Sequence, residues 1–205
     1  VSLPTFERLL TFAEHDLIPA VPSRGSVGAS GDLAPLAHLA LPLIGYGAFW
    51  TNDGTDTHSA GTVLDRHDLS PLTLQPKDGL SLINGTQQMS AYGAHVLNAA
   101  HRLVKIADLI AAMSLEALQG SIKPFDPRVQ AARPHPGQRT VAANVRMLLQ
   151  DSEILESHRN CGKVQDPYCL RCVPQVHGAS RDALNHATDV VEREINSVTD
   201  NPLVF

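Results

Sequence analysis

The chain has 205 residues, 43% apolar and 18% charged, a balance that supports a core of its own and excludes a disordered protein. Its net charge of −5, without any basic run, and its 4% aromatic content exclude a nucleic-acid backbone binder and a stacking platform for single strands. The longest apolar stretch, Leu33 to Trp50, is broken by Pro35, His38 and Pro42 and does not read as a membrane span. Three cysteines do not suggest a disulfide framework, and no secretory signal is visible, so the expected compartment is reducing and cytoplasmic. Val1 is not an initiator Met and Phe205 follows directly on a turn-like Thr199-Asp200-Asn201-Pro202. The expectation is therefore an internal piece of a longer protein, with residues 1–205 forming a single incomplete domain.

Apolar residues at 6, 9, 10, 13 and 17 give helical spacing from about Thr5 to Leu17, ended by Pro19 and Pro22. A second helix is predicted from Asp32, a good N-cap, with Pro35 in its first turn; it is apolar all round, hence buried, and Pro42 should kink or end it. Residues 45–79 read as a surface excursion in which runs near 48–50 and 62–64 form a small hairpin around the Asn52-Asp53-Gly54 turn. A long helix is predicted from Thr86 to Gln119, stopped by Gly120 and packed on several sides. A shorter one covers Thr140 to Gln150. The last opens at Pro174 and carries one apolar stripe from Val176 to Val198. The fold class is mainly α, a long-helix bundle with a minor irregular or β excursion near 45–79.

The most unusual stretch is Gly25-Ser26-Val27-Gly28-Ala29-Ser30-Gly31-Asp32, with three glycines in seven residues. Such a loop reads first as punctuation before a capped helix. A phosphate cradle is disfavoured, because no Lys-Ser/Thr pair follows and Asp32 would repel an anion. Cys169 and Cys172, with Cys161, His158 and His177 nearby, allow a zinc reading, but a lone Cys-x-x-Cys is a weak signal and Tyr168 and Arg171 interleave it. By themselves Asn84 reads as a turn residue before Gly85, and Arg171 as an exposed arginine.

Four ordered blocks change that reading. Val21 to His38, with Gly28-Ala29-Ser30-Gly31-Asp32 at its centre, resembles the signature of the aromatic amino acid ammonia-lyases. Leu82-Ile83-Asn84-Gly85-Thr86-Gln87 resembles that family's Asn-Gly-Thr motif, Gln165 to Gly178 its substrate-binding loop, and Asn196 to Leu203 the block that follows. Arg133-Pro134-His135-Pro136-Gly137-Gln138 and the Gln175-Val176-His177-Gly178 context are similar to the members acting on histidine. Together the blocks span nearly the whole chain.

The resemblance implies the fold of these lyases, of the aspartase/fumarase-like type. It also implies a prosthetic group made by the chain, 4-methylidene-imidazol-5-one. Its ring closes from the Gly31 nitrogen onto the Ala29 carbonyl carbon with loss of two waters, one from the Ser30 hydroxyl; no external cofactor and no metal is needed. By the same resemblance Ala29, Ser30 and Gly31 supply the ring, and Asn84 helps form it and hold its negative charge. Asp32 serves as cap and assists the ring. Tyr168 lies near the substrate amine, Arg171 clamps the substrate carboxylate, and Gln165 supports the loop. Asp200 and Asn201 are expected to be structural, as an Asx-type turn before Pro202. Cys169 departs from the family, which more often has Ser there. The implied reaction is loss of ammonia from an L-amino acid to give the trans-acrylate, urocanate in the case of L-histidine.

The implied partners are L-histidine or a related amino acid and further copies of the chain in a homotetramer, with no nucleic acid and no membrane. The family also uses a Tyr from before this region and a Phe and a Glu from after it, which implies that residues 1–205 alone are inactive. Two alternatives stay open at this level: a phenylalanine or tyrosine ammonia-lyase or aminomutase, and a non-catalytic helical fragment of such an enzyme.

Overall fold

The first helix follows from its apolar spacing, and its end from a single residue. In the computed structural model, which describes residues 1–26, 28 and 31–204, helix α1 spans Leu3–Glu14 with Pro4 in its first turn. It stops before Leu17 because Asp16 takes a left-handed conformation, φ 52°, and the Leu17 N–H folds back to the Phe12 carbonyl at 2.8 Å. Helix α2 spans Leu33–Ala40 and gives way at Pro42 to a 3-10 turn, Leu41–Ile44. Asp32 occupies the N-cap position but does not cap with its side chain, which instead accepts a short hydrogen bond from the Ser26 hydroxyl. Within this chain α2 is not covered all round: Leu36 is buried while Leu39 is exposed.

Strands β1 (Ala48–Trp50) and β2 (Thr57–Ser59) pair antiparallel, with Phe49 opposite His58. The hairpin therefore closes earlier than the sequence suggests. Residues 62–64 fall in helix α3 (Ala60–Arg66), because the Ser59 hydroxyl accepts from the Thr62 N–H and caps a helix there. Helix α4 covers Asp78–Ile83 and helix α5 the 31 residues Gln87–Ala117. The stop of α5 is built from two residues: Gln119 takes the left-handed turn, φ 49°, and Gly120 lies where a Cβ would meet Leu115 at 2.4 Å.

Two short elements follow, a 3-10 turn at Lys123–Phe125 and helix α6 (Pro127–Ala132). Helix α7 spans Pro136–Leu148, starting earlier than expected because Pro136 serves as its first-turn proline. Helices α8 (Glu153–Ser157), α9 (Tyr168–Arg171) and α10 (Val173–Ile195) complete the chain. Among the described residues the architecture is mainly α with one small hairpin, as the sequence predicts. Among the described residues no helix is long and apolar enough to cross a membrane.

The chain divides into two compact units, Val1–Tyr92 with the stretch from Arg193, and Gly93–Glu192. The core of the first gathers Phe12, Leu43, Phe49, Val63, Leu64 and Leu82. Phe12 meets Phe49 edge to face with centroids 5.0 Å apart, a contact worth about 0.5–1.5 kcal/mol beyond the area it buries. Asp78, buried at the start of α4, accepts from the Ser2 N–H (2.5 Å) and hydroxyl (2.7 Å), the Thr5 hydroxyl (2.9 Å) and the Gln75 N–H (2.9 Å), and so ties α1 to α4.

The second unit has its own core of Leu115, Phe125, Val141, Val145, Leu149 and Leu170. There α7 and α10 approach closely at paired glycines: a Cβ on Gly137 would stand 2.2 Å from the Gly178 carbonyl oxygen. The buried Asp108 of α5 accepts from Asn144 of α7 (2.7 Å) and Arg181 of α10 (2.6 Å), with His177 at 3.2 Å. A carboxylate so deeply buried is held there by its partners.

Candidate active site

In the first unit the glycine-rich loop meets the turn after α4. Gly31 has φ +112°, and a Cβ on it would stand 2.4 Å from the Gly85 carbonyl oxygen and 2.8 Å from the Gly85 nitrogen. Only glycine fits there, on grounds of both conformation and space. This brings Gly31 onto the backbone next to Asn84. Ala29 and Ser30, also predicted for the site, lie outside the described residues.

Asn84 ends α4 and is 8% exposed. Its Nδ2 donates to the Asn201 carbonyl at 2.6 Å, while its buried Oδ1 has no partner among the described residues. A buried amide oxygen without a partner costs roughly 1–3 kcal/mol. The segment supplying that carbonyl is held on both sides. The Asp200 carboxylate takes a short ion pair from Lys77 and a hydrogen bond from the Ser81 hydroxyl at 2.8 Å, and the Thr199 hydroxyl accepts from the Thr86 N–H at 3.3 Å. Lys77, and after it Ser81, hold the Asp200 carboxyl below the usual carboxylate range. The expected local Asx-type turn gives way here to contacts more than a hundred residues apart in sequence. A cavity of about 700 Å³ lies beside this corner, bounded by Pro22, Arg24, Ser26, Leu36, Gln88 and Ser197.

The other predicted residues belong to the second unit. Tyr168 opens the one-turn helix α9 and is 73% exposed; Arg171 closes it, with its guanidinium carbon 5.3 Å from the Tyr168 ring centroid. The Arg171 Nε donates to the Asp166 carbonyl at 2.8 Å, and the buried Asp166 carboxylate accepts from the Ser121 N–H at 2.5 Å. Of Gln165, Tyr168 and Arg171, three residues apart in sequence, only the last two lie on the helix. Gln165 precedes the helix, since Pro167 sits at its N-cap, and lines the same cavity of about 660 Å³ as Arg171.

His158 and His177, considered above for zinc, turn to the Gly120 carbonyl (2.9 Å) and to Asp108; the three cysteines are free, and no three metal-ligating side chains converge among the described residues. Lys77 and Asp108 escaped the reading of the sequence. Asp108 carried a signal, a lone charge inside the apolar run Ile106 to Ile110; Lys77 carried none, because its partner lies 123 residues away.

A family model described as aromatic amino acid lyase matches residues 1–205. The histidine ammonia-lyase of Anaeromyxobacter dehalogenans (strain 2CP-C) is 55% identical over 98% of this chain and 41% of its own length. The crystal structure of histidine ammonia-lyase from Trypanosoma cruzi superposes with a TM-score of 0.84 at 38% identity, over 100% of this chain and 37% of that one. That of phenylalanine ammonia-lyase from Rhodosporidium toruloides gives 0.86 at 34%, over 100% and 31%. The chain thus spans about two fifths of the length of the bacterial relative it matches.

Proposed function

The chain belongs to the aromatic amino acid lyase family, and from that premise we propose that it carries part of the active site of a carbon–nitrogen lyase converting L-histidine to trans-urocanate and ammonia. The observation that carries this reading is the corner at Gly31, closed to any Cβ by Gly85 and flanked by a buried Asn84 with an unpartnered Oδ1. The choice of histidine is supported by relatives: the curated histidine ammonia-lyases of Anaeromyxobacter and mouse are 55% and 47% identical to the chain, the phenylalanine ammonia-lyase structure 34%. Residues 1–205 then form the incomplete central part of one lyase domain, working in the cytoplasm as a homotetramer.

The chemical difficulty is a β-proton that is barely acidic beside an amine that leaves poorly. A methylidene-imidazolone formed from Ala29, Ser30 and Gly31 supplies, in this reading, the electrophile that overcomes both. The described residues fit that group: Gly31 already has the backbone conformation of a tight bend, and Asn84 offers an unused oxygen and a second N–H on Nδ2. That N–H can donate to a developing oxyanion without reorganising, the arrangement that stabilises charge most in a dry site.

Arg171 is suited to the substrate carboxylate. Its Nε is committed to Asp166, which fixes the plane of the guanidinium and leaves the two terminal nitrogens as a fork. Tyr168, with its ring against that guanidinium, offers a hydroxyl for the substrate amine, and Gln165 supports the loop between them.

The test is the mass of the tryptic peptide Gly25–Arg66 from the full-length protein, together with product formation from L-histidine, L-phenylalanine and L-tyrosine. We expect a peptide lighter than its sequence by two waters, urocanate from histidine, and neither mass change nor product in Gly31→Ala. A shifted mass with product only from phenylalanine or tyrosine makes the protein a sister lyase or aminomutase. An unshifted mass in the folded assembly leaves a non-catalytic helical protein.

A further inference from the structure

Asn84 has an amide with two different ends, and the structure shows what selects between them. Only the NH2 end can face the Asn201 carbonyl, because two carbonyl oxygens cannot share a hydrogen bond. Rotating the amide would put Oδ1 against that carbonyl and lose the bond. The position of the Asn201 carbonyl therefore decides that Oδ1, and the second N–H of Nδ2, are left for the site.

That carbonyl is not fixed by regular secondary structure; residues 199–202 belong to no helix or strand. It is fixed by its neighbours. Asp200, immediately before it, is pinned by Lys77 and Ser81, the first at the N-cap of α4 and the second one turn into it. Asn84 stands at the other end of the same short helix. The pair is largely sheltered, with side chains 27% and 13% exposed. Lys77 also holds φ +78°, a conformation that residues with side chains seldom adopt and that persists only where the surroundings enforce it. Thr199, on the remaining side, is bonded to the Thr86 N–H just beyond Asn84. The two anchors bracket the amide.

We propose that Asp200, held by Lys77 and Ser81, is a positioning residue for Asn84: by fixing the Asn201 carbonyl it sets the orientation of the Asn84 amide and so the hydrogen-bonding groups presented beside Gly31. The inference rests on the reading of Asn84 as part of the prosthetic-group site. A residue that merely fastened the C-terminal stretch to α4 would contribute to stability and leave the chemistry alone. A positioning residue changes the chemical step in a protein that is still folded, and it does so only while Asn84 is present.

The experiment compares Asp200→Asn, Ser81→Ala, Asn84→Ala and the double variants in the full-length protein, by the extent of water loss from the peptide Gly25–Arg66 and by kcat and KM for L-histidine. Asp200→Asn removes the charge that Lys77 pairs with and keeps the shape; Ser81→Ala is the milder variant should Asp200→Asn fail to fold. We expect kcat to fall by about tenfold or more with KM within about twofold, the dehydrated fraction of the peptide to drop, and circular dichroism and assembly to stay as in the parent. In the Asn84→Ala background the same substitution should add less than about twofold to either loss, because its route of action is gone. Full dehydration and parental kcat in both Asp200→Asn and Ser81→Ala overturn the inference and leave the reading of the site intact. Losses that multiply with Asn84→Ala overturn it as well, since Asp200 then acts by another route. An unshifted peptide in the parent protein overturns the reading of the site and the inference with it.

Discussion

Asp78 shows how one buried carboxylate ties two segments of the chain together. Burial pushes its carboxyl up, but the Ser2 N–H and hydroxyl, the Gln75 N–H and the Thr5 hydroxyl together outweigh burial and bring it down to about 2. A folded-state value below the unfolded one means stability that is fully present above the unfolded pKa, near pH 4, and lost as the pH falls through about 2. The shift corresponds to about 2 kcal/mol. Acid unfolding of the full-length protein should accordingly be steeper between about pH 4 and pH 2 than that of Asp78→Asn, which has no such proton to take up. Parallel pH profiles for the two would show that the carboxylate is as well solvated unfolded as folded. The same residue marks a limit of the sequence: Asp78 lies four residues before the block that contains Asn84, yet nothing there announces a contact with Ser2, 76 residues away. Resemblance pointed to Gly31, Asn84, Tyr168 and Arg171; the contacts that Lys77, Asp200 and Asp166 make around them became visible only in three dimensions, because a hydrogen bond across the chain leaves no local pattern.

At the scale of elements, length decided what could be read. Helices α1, α5 and α10 run for 12, 31 and 23 residues, long enough for apolar positions to recur at the helical period, and the sequence placed all three within a few residues. Helices α4, α6 and α8 have six, six and five residues, fewer than two turns, so no period could emerge. The second strand was misplaced for a related reason: Thr62-Val63-Leu64 has strand-like residues, but the Ser59 cap commits them to α3. Helix α7 starts at Pro136 rather than near Thr140, and Gly137 in its first turn packs against Gly178 of α10. A Cβ on Gly178 would stand 2.4 Å from the Gln138 nitrogen and 2.6 Å from its Cα, both backbone atoms that cannot move aside alone. Gly178→Ala should destabilise the second unit by about 1–3 kcal/mol, lowering Tm by several degrees. Gly61, in α3, has nothing within 4 Å of the corresponding position, and Gly61→Ala should instead stabilise by about 0.5–1 kcal/mol. Equal effects in the two variants would mean that helix propensity outweighs the close approach of α7 and α10.

On the scale of the whole molecule, the question is what covers α5. One face of it is buried through Asp108, Ala112 and Leu115. The sequence suggested packing on several sides, but within this chain another face stays open: Val96, Leu103, Ile106, Ile110 and Met113 are each between 50% and 63% exposed. With Ala99 these positions are spaced by three and four residues in alternation, the seam along which a second helix packs knobs into holes. Such a run of apolar side chains is too continuous for an ordinary free surface. In the proposed homotetramer a helix with the same spacing from another copy would cover it. A charge at the middle of the seam would then have to be desolvated on assembly, at a cost of several kcal/mol per copy. Ile106→Glu in the full-length protein should therefore shift the mass measured by light scattering from the parental assembly towards smaller species. It should leave helix content nearly unchanged, because Ile106 is half exposed and lies outside the buried core. If the mass stays at the parental value, a part of the protein outside residues 1–205 covers the seam, and the tetramer is held together elsewhere.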